Sequence, residues 1–417
     1  MRSKKSWRRD VVFSLELMGY PRFIAPLTPC NLSVQRCSVS PQAASQRILI
    51  VRLGSHGDIL MATPFLSALR RAYPDAHLTW AVEYSSVDSI IANPHIDEVF
   101  VWDSRYWRSM IRTRGLDILA PKRVLGLRWL VQALRMGAEL RGRHYDTLIS
   151  FQPEEWPTLL PGTGAKATIG VFDTFRQFSG EAQTSPYAKR YQYAYTYGDL
   201  PEHRTDQYLL PIQALGLPPS TDKQMVLGFT AEDAKAAKDF LKQHEHFKDQ
   251  PFIVLAPMTT WESRNWPAER YIQLGDALAA QGQRIVVIGS PNPKEQAAVG
   301  AIAAQMQTPP IAASGTLTFR QMAALLARAS LVISGDTGPM HVAAAVGTPY
   351  LALFGPTPVQ GRAPQAGRGI SLMHPVPCGP CDKQFCNQID ENILRCLKLI
   401  TVGEALAAAE LLLRGLK

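Results

Sequence analysis

The stretch from Val332 to His341 constrains the fold more than any other part of the sequence. Leu331 to Ile333 is an apolar run typical of a buried strand. It ends in Ser334-Gly335-Asp336, which favours a tight turn. Thr337-Gly338-Pro339 then begins a helix, since proline at the first helical position loses no hydrogen bond. The order predicts either a helix N-terminus that binds an anion or an ordinary turn capped by Asp336.

A second stretch near the start of the chain repeats this order. Arg47 to Leu53 predicts a strand, and Gly54-Ser55-His56-Gly57-Asp58 predicts a glycine turn. Thr63-Pro64 is expected to cap the helix that follows, which runs to Arg71. Two such units far apart predict an α/β protein with two Rossmann-like domains that face each other across a cleft.

Strands and helices alternate on both sides of Pro218, which predicts domains over 47–218 and 219–417. Capping boxes at Thr318 and Thr401 predict two further helix starts. Phe175 to His203 lacks clean periodicity and predicts a long loop. Residues 1–46 are basic at the start and rich in proline and serine, which predicts a disordered extension. That extension is an unstructured tail, residues before the true start, or a segment that contacts anionic lipid.

Together these motifs resemble glycosyltransferase family 9, the ADP-heptose:lipopolysaccharide heptosyltransferases. The G-x-x-G-D turn and T-P pair of that family match Gly54 to Pro64. Its S-x-D-T-G-x-x-H and F-G-P-T motifs match Ser334 to His341 and Phe354 to Thr357. Thr259 to Pro267 is similar to its phosphate-binding loop. The resemblance implies a GT-B arrangement, with an acceptor-side N-terminal domain and a C-terminal domain that binds a nucleotide sugar.

A net charge of +9 indicates an anionic partner. Nucleic-acid signatures do not accompany the charge, so a glycolipid or an anionic membrane surface is the expected partner and nucleic acid is not. No apolar stretch is long and charge-free enough to span a bilayer, and the start of the chain does not match a signal peptide. We therefore expect a cytoplasmic protein, peripheral at the inner face of the cytoplasmic membrane.

The segment from Trp107 to Arg143 mixes arginines with tryptophan and leucine. Such a helix either lies on an anionic membrane interface or is a solvated helix that packs its leucines on the core. If it binds a membrane, Arg123, Arg128 and Arg135 with Trp129 are the expected contacts.

Glycosyl transfer needs a base for the acceptor hydroxyl and a group that stabilises the departing diphosphate. Asp58 is the candidate base, and its alternative role is to cap the following helix. Gly54, Ser55 and Gly57 are expected to form the acceptor-side or phosphate-side loop around it.

Many glycosyltransferases hold a metal with an Asp-x-Asp pair. This chain contains no such pair, so we expect metal-independent stabilisation of the diphosphate and no cofactor. Arg264, where the family often has lysine, is the main cationic candidate. Thr259 and Thr260 are expected to contact the donor with their hydroxyl groups. Thr337 and Gly338 are expected to offer backbone N–H groups at a helix start, and Glu295 is the candidate acid for the ribose. Asp336 is expected to orient a group or contact a sugar hydroxyl, and His341 either contacts phosphate or packs in the core.

Four cysteines lie close together in the sequence: Cys378, Cys381, Cys386 and Cys396. Their types suit a structural zinc or iron–sulfur site, but their spacing is not that of a standard zinc ribbon. The alternative is reduced thiols in an irregular loop.

The combined expectation is an inverting glycosyltransferase that moves heptose, or a similar sugar, from a nucleotide sugar to a lipopolysaccharide-type glycolipid. One alternative is a nucleotide-sugar epimerase of the same fold, which would need no acceptor surface. Another is a catalytically inactive glycolipid-binding protein. The basic segment argues against the first alternative, and Asp58 and Asp336 argue against the second.

Overall fold

The computed structural model describes residues 46–102, 134–135, 137–152, 163–172, 188–196, 200–244, 247 and 250–415. Parallel strands build the first of its two sheets. Its strands are β1 (Arg47–Val51), β2 (His77–Glu83), β3 (Glu98–Trp102), β4 (Thr147–Ser150), β5 (Ala167–Val171) and β6 (Tyr193–Tyr195). They pair in the order β3-β2-β1-β4-β5-β6. β1 is almost wholly buried, as expected of a strand covered on both faces.

A second six-stranded sheet follows further along the chain. It contains β7 (Phe252–Ala256), β8 (Arg284–Gly289), β9 (Ile311–Ser314), β10 (Leu331–Gly335), β11 (Tyr350–Leu353) and β12 (Gly369–Leu372). The order is β12-β11-β10-β7-β8-β9. Both sheets therefore place their first and fourth strands side by side, which is the doubly wound topology, and the predicted fold class is confirmed. The domain boundary at Pro218 stays a prediction.

Ten α-helices whose bounds are fully described accompany these strands. They are α1 (His56–Ala72), α2 (Arg204–Ala214), α3 (Ala231–Lys242), α4 (Ala268–Ala280), α5 (Pro293–Gln305), α6 (Phe319–Leu326), α7 (Gly338–Ala345), α8 (Val359–Arg362), α9 (Arg395–Lys398) and α10 (Val402–Arg414). The predicted capping boxes at Thr318 and Thr401 are present at the starts of α6 and α10. Each satisfies backbone groups that a helix start leaves unpaired.

Helix α1 is the central helix of the molecule. We call the part of the chain that carries the first sheet the first half of the molecule, and the part that carries the second sheet the second half. The residues of α1 from Ile59 to Leu69 are all buried, because the helix packs on the first sheet, on α2 and on α7 of the second half. A helix that is apolar on every side is stable only where it is covered on every side. The start of α1 is thus held firmly where the two halves meet.

The predicted start of α1 at Thr63-Pro64 is wrong, because the helix begins at His56 and Pro64 lies inside it. A proline in a helix removes the N–H that would bond to the carbonyl four residues earlier. Here the Thr63 hydroxyl donates to the Leu60 carbonyl oxygen at 2.7 Å instead. The helix therefore continues through the proline, and Asp58 lies in its first turn.

The expected long loop over Phe175–His203 is wrong for part of its length. Tyr193–Tyr195 forms β6 at the edge of the first sheet, where it pairs with β5. The strand is three residues long and half-buried throughout, so it carries no alternating pattern that would predict it. β9 and β12 are short edge strands that the sequence pattern did not predict either.

No helix within the described ranges is long and apolar enough to cross a bilayer. The extension before Gln46 and most of the basic segment, including Arg123, Arg128 and Trp129, lie outside those ranges. Arg135 is described and exposed, and it belongs to a short helical stretch. The membrane-contact hypothesis for this segment stays a prediction.

Gly228→Ala is expected to destabilise the fold by about 1–3 kcal/mol, as overpacked sites do. A Cβ at Gly228 would lie 1.7 Å from the Ala92 carbonyl oxygen, so the backbone on one side must move. Gly300→Ala is the matched control, because a Cβ there meets nothing within 4 Å in the interior of α5. The control should stabilise by about 0.5–1 kcal/mol. Denaturant unfolding measures both, and equal effects would contradict the packing argument.

Candidate active site

The starts of α1 and α7 meet where the two halves of the molecule face each other. α1 follows β1 and α7 follows β10, so both helices begin at the central strands where the chain reverses its winding. Gly57 makes the close approach possible, because a Cβ there would lie 2.8 Å from Cδ2 of His341. Gly57, which we expected on a substrate loop, thus faces the opposite helix. A Cβ at Gly54 would lie 3.4 Å from Ser86 Oγ, so this glycine has little free space beside it.

Asp58 points its carboxylate into a set of polar groups in this region. Arg52 Nη2 lies 2.9 Å from Oδ2, and the Tyr208 hydroxyl donates to Oδ1 at 3.2 Å. Ser55 Oγ also donates to Oδ2, at 3.0 Å. Ser55 is the N-cap of α1, so the alternative role of Asp58 as the cap is wrong. The carboxylate is held by side chains and stays 21% exposed, which leaves it reachable from the cleft.

Burial by itself would raise the pKa of the Asp58 carboxyl. The guanidinium groups of Arg52, Arg204 and Arg362 outweigh this effect and hold that pKa well below its usual range. Asp58 is therefore ionised throughout the physiological pH range. An ionised carboxylate can accept a proton, although a low pKa makes it a weak base in the resting site.

Two further groups shape the surroundings of Asp58. Gln152 follows β4, and its Oε1 accepts hydrogen bonds from the backbone N–H groups of Leu53 and Gly54. This joins the loop before α1 to the neighbouring strand. Burial raises the pKa of Tyr208 to about 12, so its hydroxyl stays protonated and donates to Asp58.

The loop after β7 carries the expected donor-binding residues. Thr259 uses its hydroxyl to donate to the Trp261 carbonyl at 2.6 Å and its N–H to donate to Asn265 at 2.9 Å. That bond gives the Thr259 hydroxyl a local structural role, and its role toward the donor stays a prediction. Thr260 is exposed and remains available. Gly335 at the end of β10 lets this loop pack closely, with Thr259 Cγ2 only 2.8 Å from a Cβ built there.

Arg264 is the cation at the centre of this loop. Its guanidinium carbon lies 3.8 Å from the centre of the Trp261 ring, a cation–π contact that fixes the plane of the group. Nε lies 3.4 Å from Asp336 Oδ2, and Nη2 lies 3.7 Å from Asp382 Oδ1. Nε is buried and makes no hydrogen bond with any described residue. The guanidinium is thus oriented by its neighbours while keeping hydrogen-bonding capacity for an anion.

Asp336 and His341 occupy the buried side of the site. The Thr357 hydroxyl donates to Asp336 Oδ2 at 2.5 Å, which links the two motifs that the resemblance rested on. His341 Nδ1 is buried, with no hydrogen-bond partner in the described part of the chain. Burial lowers the pKa of His341 to about 4, against the opposing effect of Asp336 and Asp58, so the ring is neutral near pH 7.

The remaining donor-side predictions differ in outcome. Thr337 precedes α7 as its N-cap, and a Cβ at Gly338 would meet open space, so a ligand can approach this helix start. Glu295 instead accepts a hydrogen bond from the Ser290 N–H at 2.9 Å. That bond gives Glu295 a local structural role, and its role toward ribose stays a prediction.

The four cysteines line one small cavity of about 20 Å³ beside the donor loop. All four are free thiols, and Cys386 Sγ accepts a hydrogen bond from the Leu394 N–H. No three His, Cys, Asp or Glu side chains in the described ranges are arranged to hold a metal ion. Both hypotheses for these cysteines, a metal site and reduced thiols in an irregular loop, stay predictions.

Several residues of the site were not among the sequence-based candidates. They are Arg52, Arg204, Tyr208, Arg362 and Asp382. Arg52 had a visible signal, a charge at the end of an apolar strand. The others lie in segments whose local pattern says nothing about the cleft, so only the folded chain brings them to Asp58 and Arg264.

Lowering the pH from 6.5 towards 4 is expected to reduce the free energy of unfolding through His341. An unfolded histidine has a pKa near 6.5, so in this window the unfolded chain binds a proton that the folded chain does not. The contribution is complete above pH 6.5 and is lost by about pH 4, where the folded ring protonates. A difference of this size corresponds to about 3 kcal/mol.

Denaturant unfolding of the wild type and His341→Gln at pH 7 and pH 4.5 measures this contribution. Burial lowers the pKa of His56 and His203 as well, so the wild-type loss includes them, and the variant isolates His341. The variant should lose less stability than the wild type between the two pH values. Equal losses would contradict the assignment.

The sequence matches the model of glycosyltransferase family 9 (heptosyltransferase) over residues 133–389. Among curated proteins, it is similar to lipopolysaccharide heptosyltransferase 3 of Escherichia coli. The two are 25% identical over 306 residues, which cover 72% of this chain and 81% of the relative.

Solved structures with the same fold include a glycosyltransferase of family 9 from Veillonella parvula. The TM-score is 0.72 at 24% identity, over 89% of this chain and 97% of that one. The E. coli ADP-heptose lipopolysaccharide heptosyltransferase II has a TM-score of 0.65 at 17% identity, over 89% of this chain and 99% of its own. At these identities the likeness establishes the fold.

Proposed function

Because the chain belongs to glycosyltransferase family 9, we propose that it transfers heptose from ADP-heptose to a hydroxyl group of a lipopolysaccharide-type glycolipid. The names of its relatives support this donor and acceptor. The observation that carries the proposal is that Asp58 and Arg264 lie on the same cleft. A carboxylate that can accept a proton and a cation that can bind a phosphate face one cleft from opposite sheets.

In the proposed reaction, Asp58 takes the proton of the acceptor hydroxyl as that oxygen attacks the anomeric carbon of heptose. The bond from this carbon to the diphosphate oxygen breaks in the same step, so the configuration inverts. Tyr208 and Ser55 hold the carboxylate in place by donating hydrogen bonds to its two oxygens. A fixed base lowers the entropic cost of reaching the transition state.

Arg264 and the start of α7 stabilise the diphosphate as it leaves. Arg264 offers a bidentate fork, and the N–H groups after Thr337 point from a positive dipole end. Preorganised donors of this kind contribute most where charge develops in the transition state. Asp336 lies beside Arg264 and orients it, because a carboxylate in contact with the diphosphate would repel it.

We propose that the protein works at the cytoplasmic face of a membrane, since its lipid acceptor lies there. Replacing Arg123, Arg128 and Arg135 with serine should weaken binding to anionic vesicles, because each basic residue near the surface contributes about 1 kcal/mol. The loss should be largest at low salt, where the charges are least screened. Vesicle sedimentation measures it. Unchanged binding at low salt would refute a membrane role for these arginines.

The test of function is thermal shift against a panel of nucleotide sugars, followed by product analysis. A ligand that binds only the folded state raises the melting temperature. ADP-heptose should raise it most, and heptose should appear on a lipopolysaccharide acceptor with or without EDTA.

Conversion of the donor without an acceptor would support the epimerase alternative instead. Acceptor binding without any turnover would support an inactive glycolipid-binding protein, and loss of activity restored by Mg²⁺ or Mn²⁺ would refute the metal-free mechanism.

A further inference from the structure

A stacked pair of rings joins the two halves of the molecule close to Asp58. His56 is the first residue of α1 in the first half, and Phe319 is the first residue of α6 in the second half. The centres of the two rings lie 4.2 Å apart, and their planes differ by 14°. Both residues are half-buried. The stack therefore connects a helix start of the second half to the helix start that carries the proposed base.

The ring of His56 is also fixed by its own half. Its Nδ1 lies 2.6 Å from Oγ of Ser89, which is a hydrogen-bond distance, and Ser89 is fully buried. Burial lowers the pKa of the His56 imidazole against the opposing effect of Asp88, so the ring is neutral near pH 7 and stacks without burying a charge. The ring is thus held between Ser89 of the first half and Phe319 of the second.

An ion pair next to the stack joins the same two segments. Arg320 follows Phe319, and its Nε lies 3.6 Å from Oδ1 of Asp88 in the first half. This Nε also lies 3.4 Å from Oδ2 of Asp233, which belongs to the capping box of α3. Nε makes no hydrogen bond with any described residue, so these contacts are mainly electrostatic. The stack is therefore the more directional contact, and Phe319 is the residue that orients His56.

The first turn of α1 depends on such contacts because its local structure is weak. Ser55, the N-cap, makes no capping hydrogen bond, since its hydroxyl donates to Asp58 instead. Gly57 lies within this turn, and glycine favours a helix less than any residue except proline. The residues from Ile59 to Leu69 are buried, whereas His56, Gly57 and Asp58 are only half-buried. The orientation of the Asp58 carboxylate thus depends on what holds this turn.

We propose that Phe319 is a positioning residue for Asp58. Its stack on His56 holds the first turn of α1 in the orientation in which the carboxylate can take the proton of the acceptor. The stack exists only while the two halves are close, so it couples their approach over the two substrates to the orientation of the base. The proposal rests on the proposed function, because it takes Asp58 as the base of the transfer reaction.

The kinetic test compares Phe319→Leu, which removes the ring, with Phe319→Tyr, which keeps it. Misplacing a reacting group by about 1 Å can cost about 10²-fold in rate, so Phe319→Leu should lower kcat about tenfold or more. KM for the donor should change little, because Arg264 and the start of α7 are left intact. Phe319→Tyr should retain most of the wild-type kcat.

Two further variants make the comparison specific to the stack. His56→Leu removes the other ring, and combining it with Phe319→Leu should cost no more kcat than either single change, because both remove the same contact. It also provides the test from the other side if Phe319→Leu does not fold. Phe240→Leu is the matched control, since Phe240 is half-buried and contacts His244, directly after the same helix, α3. The control should keep the wild-type kcat.

Hydrogen exchange of residues 55–60 gives a readout that does not depend on activity. These amides should exchange about two- to tenfold faster in Phe319→Leu, which is the extent to which a stacked aromatic pair stabilises a contact. Phe240→Leu should leave their exchange unchanged. Faster exchange in Phe319→Leu, together with a lower kcat and a nearly unchanged KM, would support the proposal.

Faster exchange with the wild-type kcat would mean that the stack only stabilises the helix start, and the positioning role would be wrong. Unchanged exchange would show that Phe319 does not hold the first turn of α1, which also overturns the proposal. If the wild type transfers sugar and Phe319→Leu does so equally fast, this proposal alone fails. If the wild type transfers sugar from no nucleotide sugar, the proposed function fails and the positioning role falls with it.

Discussion

Replacing Asp58 with Asn is expected to lower kcat by about 10²-fold or more while donor affinity stays nearly unchanged. The amide has almost the same shape and can still accept the hydrogen bond from Tyr208, but it cannot take a proton. Initial-rate kinetics give kcat and KM, and calorimetry with the donor gives its Kd. A fall in kcat without a change in Kd indicates that the carboxylate acts in the chemical step.

Asp222→Asn is the matched control for this variant. Asp222 pairs with Arg71 at 2.9 Å, the distance at which Asp58 pairs with Arg52, but it lies 38% exposed and away from the cleft. Its replacement should leave kcat unchanged. If Asp58→Asn also retains near-normal kcat, the carboxylate serves to hold Arg52 and Tyr208 in place, and another base must be sought.

Replacing Arg264 with Gln is expected to lower kcat by about 10²–10³-fold, the cost of removing one preorganised group that stabilises developing charge. Glutamine keeps a hydrogen-bond donor but loses the charge, the bidentate fork and the contact with Trp261. Asp336 and Asp382 also lose their shared cation, so the melting temperature should fall. Single-turnover kinetics at saturating donor separate the effect on chemistry from the effect on binding.

Arg143→Gln controls for the loss of a partly buried arginine. Arg143 is 23% exposed and pairs with Glu98 of β3 and with Glu139, outside the cleft. Its replacement should leave kcat near that of the wild type. Arg264→Lys should retain part of the activity, because a charge remains without the fork. Wild-type kcat in Arg264→Gln would remove Arg264 from the mechanism.

The local pattern of the chain predicts most of what local forces decide. Apolar runs predict the central strands, and the capping boxes at Thr318 and Thr401 predict helix starts, because both signals act over a few residues. The errors fall where a distant contact outweighs the local signal. α1 runs through Pro64 because the Thr63 hydroxyl satisfies Leu60 and neighbours cover the helix on every side.

The site divides in the same way. The nearness of Asp58, Asp336 and His341 could be predicted, because each lies in a turn or helix start just after a strand, and parallel strands bring such ends together. Arg264 was expected there because its loop resembles the phosphate-binding loop of the family. The hydrogen bonds that each site residue makes could not be predicted. The Thr259 hydroxyl donates a hydrogen bond to the Trp261 carbonyl, and Glu295 accepts one from the Ser290 N–H. The residue pattern indicates neither bond.

By itself, the sequence determined the alternating α/β architecture and the two strand-to-helix units, since periodicity is a property of neighbouring residues. Only the tertiary structure decided which charges surround those residues. Tyr208 lies 150 positions from Asp58, and Ala363 lies 160 positions from His203, yet both pairs are in hydrogen-bond contact. The electrostatic setting of the base and of the anion sites is a sum over such distant groups, so it exists only once the chain has folded.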